Sequence, residues 1–459
     1  MMASRGAIGG DRRAVAIPRR CDVVVVGGGP AGSTVATLLA QKGYDVVLFD
    51  RERHPRYRVG ESLIPHTWKY TDMTGASAKL MEEGFIAKAG GTVVWNGVIR
   101  QMAFQDFGYG RPALHVERDL YDAILLEHAR SQGTRIFEET AVVSIEPHGM
   151  GEPADVSYRA VQDGATGRIT AQFVVDASGQ SAVLGRQLGT RVVDDGFRFM
   201  SVWGYFEHAK YVSLGGTIHP SEDLRTTPPT TFVSSLDALG DWGWLWHIPL
   251  RGRTSVGLVL PQQHLKAVRG HDALEAYFLQ TCRHVPYVDR LLEDAGYIDG
   301  SLHVIRDYSY RTTQVAGPGY FLIGDAAAFV DPIFSVGVVL GMYAAYIATW
   351  AIDRSFKAQA STAHNQGLFS SQLLARLEVS RSLALPRYGS GNATDLARRA
   401  VAFESALEQE LMYVVSTVTT RNDNVRDMLG RSRDRDITSD RFQTLDTIVA
   451  EPALVGGRR

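Results

Sequence analysis

Cysteine is nearly absent. Cys21 and Cys282 are the only two in 459 residues, too few for a disulfide framework or a four-thiolate metal site, and no metal is expected. An excess of charge of either sign is missing too. Forty-eight Lys and Arg stand against 50 Asp and Glu, a formal net charge of −2, so nothing global points to nucleic acid or an anionic membrane. No apolar run is long and unbroken. Residues 329–352 are rich in apolar side chains, but Asp331 and Pro332 interrupt them, and the remainder reads as a buried core helix rather than a membrane span. Residues 1–20 carry five arginines and lack the roughly 7–15-residue apolar stretch of a secretory signal; they read as a disordered tail. Internal repeats and low-complexity blocks are also lacking. These absences leave a soluble cytoplasmic enzyme, long enough to bury a large core in one to three domains.

What is present is organised around residues 21–50, CDVVVVGGGPAGSTVATLLAQKGYDVVLFD. Asp22–Val26 is a short β-branched apolar run, the pattern of a strand buried on both faces. Gly27-x-Gly29-x-x-Gly32 follows at once. A helix is predicted from Ala31 to Lys42, with Gly43 as its left-handed cap, and then a second strand from Asp45 to Phe49. Gly27 permits the tight turn, Gly29 lets a pyrophosphate approach the backbone, and Gly32 lets helix and strand pack closely. The helix start offers unpaired N–H groups to phosphates. Asp50, 23 positions past Gly27, is placed to accept from ribose hydroxyls. Strand, turn, helix and acid together read as a dinucleotide site, with NAD and FAD both open at this point.

Further along, Gly60-Glu61-Ser62 lies in a Pro- and Gly-marked loop returning from that site. Lys88 sits between Gly84-Phe85 and Ala89-Gly90; any single lysine is by default a solvated one. Thr92–Phe104 reads as one strand. Arg118 precedes a helix expected over Asp119–Ser131, where a guanidinium can meet phosphates. Strands are expected over Thr134–Ile145, Ala154–Val161 and Arg168–Val175, the last running into Asp176-Ala177-Ser178-Gly179. Residues 198–260 alternate like an antiparallel sheet and contain Trp242-Gly243-Trp244-Leu245-Trp246-His247-Ile248-Pro249. Period 2 puts Trp244, Trp246 and Ile248 on one face, Leu245 and His247 on the other. Two indoles on one face fill a core or make a rigid wall for a flat ligand. Tyr320–Ile323 is a buried strand ending in Gly324-Asp325. Asp331–Gly337 is a turn opening a long apolar helix, with the N–H groups of Val336 and Gly337 free for an anion. Residues 356–459 are polar and helical in period, broken at Pro386–Gly389, and the mixed charges of 431–436 read as solvated.

The opening Gly27–Asp50 unit, Gly60-Glu61-Ser62, Gly324-Asp325 and Gly243-Trp244-Leu245-Trp246-His247-Ile248-Pro249 together resemble the flavin-dependent halogenases, over about residues 20–355. The last stretch matches that family's GWxWxIP signature. Gly84-Phe85-Ile86-Ala87-Lys88-Ala89-Gly90 resembles its catalytic-lysine segment, and Phe329-x-x-Pro332-x-x-Ser335-x-Gly337 its halide loop. The resemblance implies an α/β fold of the flavin-monooxygenase type: a Rossmann-like three-layer FAD domain from 21–98, 119–198 and 300–355, an antiparallel substrate-side sheet from 99–118 and 199–299, and a C-terminal helical region at 356–459. It places FAD, used as FADH2, on Gly27, Gly29, Ala31, Gly32, Asp50, Glu61, Ser62, Arg118, Asp176, Gly324, Asp325, Gly337 and Val338. It places chloride at Ser335, Val336 and Gly337, and catalysis at Lys88, Trp244 and Trp246.

The chemistry so implied runs from a flavin hydroperoxide, formed with O2, through hypochlorous acid to Lys88, where an aromatic ring is chlorinated in secondary-metabolite (antibiotic) biosynthesis. Lysine suits this as a compact donor whose pKa falls when desolvated. A separate NAD(P)H flavin reductase is implied as partner, since no second nucleotide motif is visible. Family members acting on free tryptophan resemble one another in having Glu before the loop serine. Phe334 stands there in this chain, which fits phenols, pyrroles or a carrier-protein-bound aryl group. The rival readings are an aromatic hydroxylase, a reductase of isoprenoid chains and a non-catalytic flavin-binding redox module.

Overall fold

The computed structural model describes residues 16–95, 98–193, 198–236, 243–265 and 268–384. The expectations for residues 1–15, for Trp242 and for everything beyond 384, including the break at Pro386–Gly389, lie outside these residues.

The β-branched opening run forms the strand Arg20–Val26, its last four residues buried. It lies inside an eight-stranded sheet, parallel to Thr166–Asp176 on one side and Val46–Phe49 on the other. Tyr320–Leu322 and Arg135–Phe137 continue the parallel set outward. Val26 pairs with both Asp176 and Phe49, and Asp176 pairs with Leu322. The carboxyl ends of four strands therefore line up along one edge, where ligands bind in open parallel sheets. The helix Pro30–Gln41 follows the glycine turn with Pro at its start, where a missing N–H costs nothing. It packs against the helices Arg118–Ser131 and Gly337–Phe356. The predicted strand over 134–145 is two, Arg135–Phe137 and Thr140–Glu146, parted where Glu139 takes a left-handed φ of 54°.

The second sheet runs Gly296–Tyr297, Phe199–Glu207, Thr254–Pro261, Trp244–Pro249, Thr230–Ser235, Gly90–Trp95 and Val98–Ala103, with His303–Arg306 also paired to Phe199–Glu207. Its neighbours are antiparallel except Thr230–Ser235 with Gly90–Trp95. Two expectations are corrected here. Thr92–Phe104 is not one strand but the hairpin Gly90–Trp95 with Val98–Ala103; Asn96-Gly97, a strong hairpin signal, sits between them in the sequence. Gly90–Trp95 also belongs to the second sheet, as does His303–Arg306, so the two sheets exchange chain on the nucleotide side of the expected boundaries. A Cβ on Gly90 would lie 2.0 Å from Met102 O, so the hairpin's open end closes only around glycine.

The alternation read for Trp244–Pro249 is realised. Trp244, Trp246 and Ile248 face one apolar core, with Phe334 and Val339 in the same cluster. Leu245 faces another, built with the helix His271–His284. The long apolar helix is Gly337–Phe356. Among the described residues no helix is long and apolar enough to cross a membrane. The helix Thr362–Ala384 packs along it.

Candidate active site

A cavity of about 870 Å³ opens at the strand ends. Gly27, Gly29, Ala31, Asp50, Glu61, Ser62, Arg118, Gly324, Asp325, Ser335, Gly337, Val338, Trp244 and Trp246 all line it. Gly32 does not; it is pressed against Gly27, where a Cβ would stand 1.9 Å from the Gly27 carbonyl oxygen. Gly27 itself has φ +103°, and its Cβ would lie 2.4 Å from Ala177 O. These two glycines let strand, turn and helix close together, while Gly29 faces the cavity. Asp50 accepts from Gly28 N at 2.7 Å and Glu52 N at 2.9 Å, which fixes its carboxylate at the cavity wall.

Two predicted binding residues are committed elsewhere. Asp176 is fully buried, absent from the cavity lining, and accepts from Ser178 N at 3.0 Å and Leu184 N at 2.8 Å. It shapes the turn that brings Ala177, Ser178 and Gly179 to the cavity. Arg118 lines the cavity, but its guanidinium forks onto Asp122 at 2.8 and 3.1 Å and donates to Val59 O at 2.7 Å. Asp122 also accepts from Arg56 at 3.0 Å. Two guanidiniums around one buried carboxylate hold that acid well ionised, and Arg56 also reaches Asp50 at 4.0 Å and Glu52 at 3.7 Å. Burial raises the Asp325 carboxyl to about 6, against the pull of Arg118.

Lys88 is fully buried. Its strand, Ile86–Lys88, pairs with Ala113–His115, and the 61–63 backbone pairs with the same segment through Leu63 N to Leu114 O and Val116 N to Glu61 O. That double pairing carries Ser62 onto the Lys88 amine. Nζ donates to Ser62 Oγ at 2.8 Å and Leu63 O at 3.0 Å, with the Phe104 ring centroid 5.3 Å away. Desolvation lowers the ammonium to about 7. Lys88 does not itself line the cavity; it reaches the wall through Ser62.

Donor counting orders the hydroxyls here. Ser62 Oγ accepts from Lys88 and, at 3.0 Å, from Ser335 Oγ, so its own hydrogen goes to Thr231 Oγ1 at 2.8 Å. Thr231 Oγ1 stands 2.8 Å from His115 Nε2, in hydrogen-bond contact with it. Burial, then the Lys88 charge, push that imidazole well below its usual range, so it is neutral. Thr231 and His115 were not found in the sequence, where no motif marks them.

The segment expected to hold the halide forms a short turn, Pro332–Phe334, with Asp331 accepting from Ile333 N and Ser335 left-handed at φ 57°. Val336 and Gly337 begin the helix, where N–H groups have no intrahelical acceptor. Ser335 and Gly337 line the main cavity; Val336 does not. Val336 lines, with Phe334 and Gly337, a second void of about 30 Å³, room enough for a water-sized occupant. Phe334 is buried in the aromatic core. Among the described residues no His, Cys, Asp or Glu cluster could hold a metal.

The FAD binding domain family matches residues 20–214. The tryptophan 2-halogenase of Chondromyces crocatus is 33% identical over 338 residues, covering 73% of this chain and 62% of that protein. Flavin-dependent halogenase armH5 of Armillaria mellea is 34% identical over 367 residues, covering 76% of this chain and 68% of its own length. The chain belongs to the flavin-dependent halogenases. Solved halogenases share the fold: CmlS superposes with a TM-score of 0.71 at 27% identity, over 91% of this chain and 72% of its own. The myxobacterial chondrochloren halogenase CndH gives 0.70 at 29% identity, over 93% and 94%.

The residues of this halogenase fit an FAD molecule: a glycine turn that a Cβ would fill, open helix N–H groups, and a fixed Asp50 carboxylate along one continuous cavity. A third indole, unseen in the sequence, joins the wall. Trp203 lies 6.3 Å from Trp246, and Trp246 lies 5.8 Å from Trp244, centroid to centroid. Trp246 rests on Gly257, where a Cβ would come within 2.2 Å of the indole, and donates to Ser255 Oγ at 3.2 Å.

Proposed function

We propose that this flavin-dependent halogenase chlorinates an electron-rich aromatic, a phenol or a carrier-protein-bound aryl group, using chloride, O2 and FADH2 delivered by a separate NAD(P)H flavin reductase. The observation that carries this reading is the Lys88 amine, sealed from water and held on Ser62 at the wall of the FAD-sized cavity that Trp244 and Trp246 also line. When bound, reduced flavin supplies with O2 the oxidising equivalents. Ser335 and the N–H of Gly337 hold the halide. Trp244, Trp246 and Trp203 exclude water and keep the substrate ring off the flavin. Lys88 hydrogen-bonds hypochlorous acid and polarises its Cl–O bond, or takes the chlorine as a chloramine; an aromatic ring entering past Phe104 then receives it by electrophilic substitution.

The test is mass spectrometry of reactions holding FAD, a flavin reductase, NADH, O2 and chloride or bromide, with simple phenols, carrier-bound aryl thioesters and free tryptophan. A chlorine isotope pattern on a phenol or aryl thioester, lost in Lys88→Ala with flavin binding kept, supports the reading. Hydroxylated product returns the hydroxylase alternative. Halogenated tryptophan alone, the substrate named for the Chondromyces crocatus relative, overturns the phenolic class, and product from bromide alone overturns chlorination.

A further inference from the structure

Aromatic chlorination by this route consumes one proton: ArH, Cl⁻, O2, FADH2 and H⁺ give ArCl, FAD and two waters. Arginines and acids line the nucleotide side of the cavity, but Trp203, Val233, Trp244, Trp246 and Ile248 make its second-sheet wall apolar, and a proton crossing that wall needs a carrier. Glu61 lines the cavity and is 2% exposed. Its Oε1 accepts from Tyr205 Oη at 2.7 Å, and its Oε2 has no hydrogen-bond partner among the described residues. Tyr205 Oη is 2.9 Å from Tyr57 Oη, which accepts from Trp203 Nε1 at 2.6 Å.

The chain has one direction. Tyr205 Oη gives its one hydrogen to Glu61 Oε1, so with the Glu61 proton on Oε2 the hydrogen bonds run from Tyr57 to Tyr205 to Glu61. Tyr205 and Trp203 are buried at 3% and 4%, whereas Tyr57 is 39% exposed. Neither tyrosine lines the cavity. The hydroxyls therefore lead from Glu61 away from the cavity toward Tyr57, whose side chain reaches the surface.

We propose that Glu61 is the acid that delivers this proton, and that Tyr57 and Tyr205 reload it from solvent. The inference rests on the proposed halogenase chemistry. The Glu61 O–H breaks and its proton passes to oxygen leaving as water. In one concerted shift the carboxylate takes the Tyr205 proton, Tyr205 that of Tyr57 and Tyr57 one from solvent, so no phenolate stands free. Burial raises Glu61 above the usual carboxyl range, against the Tyr205 hydroxyl, nearby Ser255, and the charges of Arg253 and Arg118. Burial, then the Glu61 charge, raise the Tyr205 hydroxyl far above its usual range and lift Tyr57 to about 12, so neither is released as a phenolate; Arg253 lies 4.2 Å over the Tyr205 ring. His303 stacks on Tyr57 at 4.3 Å and on Trp203 at 5.3 Å; burial and Arg253 lower it, so it packs the pair as a neutral ring.

The test is infrared spectroscopy of the full chain without flavin, followed by turnover. A protonated-carboxyl band persisting above the ordinary glutamate range, absent in Glu61→Gln, is expected. After a pH jump its return should slow about tenfold or more in Tyr205→Phe, with folding checked by circular dichroism. In turnover at saturating flavin Glu61→Gln should lose about a hundredfold in halogenation rate. A Glu61 that titrates like a surface carboxyl, or a Tyr205→Phe protein that reprotonates at the native rate, overturns the relay. The infrared readings need no halogenation, so a wild type making no halogenated product sinks the proposed function while leaving them to judge the relay.

Discussion

A lysine buried to give a pKa of about 7 instead of 10.5 must weaken the fold, and Lys88→Met should reveal by how much. Below pH 7 both folded and unfolded chains carry the charge, and the folded one bears the full penalty. Between 7 and 10.5 the unfolded chain binds more protons, so native stability rises with pH; above 10.5 the penalty is gone. Each of those pH units is worth about 1.4 kcal/mol, about 5 kcal/mol in all. Methionine escapes that penalty but leaves Ser62 Oγ and Leu63 O without their donor, at about 1–3 kcal/mol each. The variant should therefore lie between about 3 kcal/mol more and about 1 kcal/mol less stable than the native protein near pH 6 and about 1–5 kcal/mol less stable near pH 10, a swing of about 4 kcal/mol whatever the hydrogen-bond cost. Urea unfolding of both flavin-free proteins across that range measures it. A stability difference that does not change with pH would show that the Lys88 amine is not desolvated, and the buried-lysine mechanism would fall with it.

Gly257→Ala should push Trp246 off its seat, costing about 1–3 kcal/mol of stability and raising uncoupled peroxide release; an unchanged ratio of peroxide to product would show that the indole wall does not guard the cavity. Thr231→Val keeps the shape but leaves Ser62 Oγ–H and His115 Nε2 unpaired, so stability should drop by about 1–3 kcal/mol and halogenation should fall while flavin affinity holds. With Lys88 near 7, the single-turnover chlorination rate should bend near neutral pH: falling above it if the ammonium is the working form, falling below it if the free amine is. A pH profile flat from about 6 to about 8 contradicts both. Gly32→Ala places a methyl against the Gly27 carbonyl and should abolish flavin binding, read by loss of bound flavin absorbance.

The parallel sheet was legible because a strand buried on both faces leaves a solid apolar run, as at Val23–Val26, and because a glycine turn admits few conformations. The indole face of Trp244 and Trp246 was legible because strand side chains alternate with period 2. The hairpin at 90–103 was missed by reading through Asn96-Gly97, and the early crossing into the second sheet was missed because a strand's sheet membership is set by a partner far away in the chain, here Thr230–Ser235. Asp176 shows the same limit: an acid after a buried strand can face a ligand or cap a turn, and only its neighbours decide which.

Lysine, indoles and glycines are thus chemistry that local sequence carries by itself, since their spacing fixes turn, face and motif. The tertiary structure decided which groups share a hydrogen bond. Ser62 meets Lys88 because two segments pair with Ala113–His115, and Glu61 meets Tyr205 across the fold from a strand of the other sheet. Such pairings depend on register between distant strands, and no window of sequence encodes the distance between them.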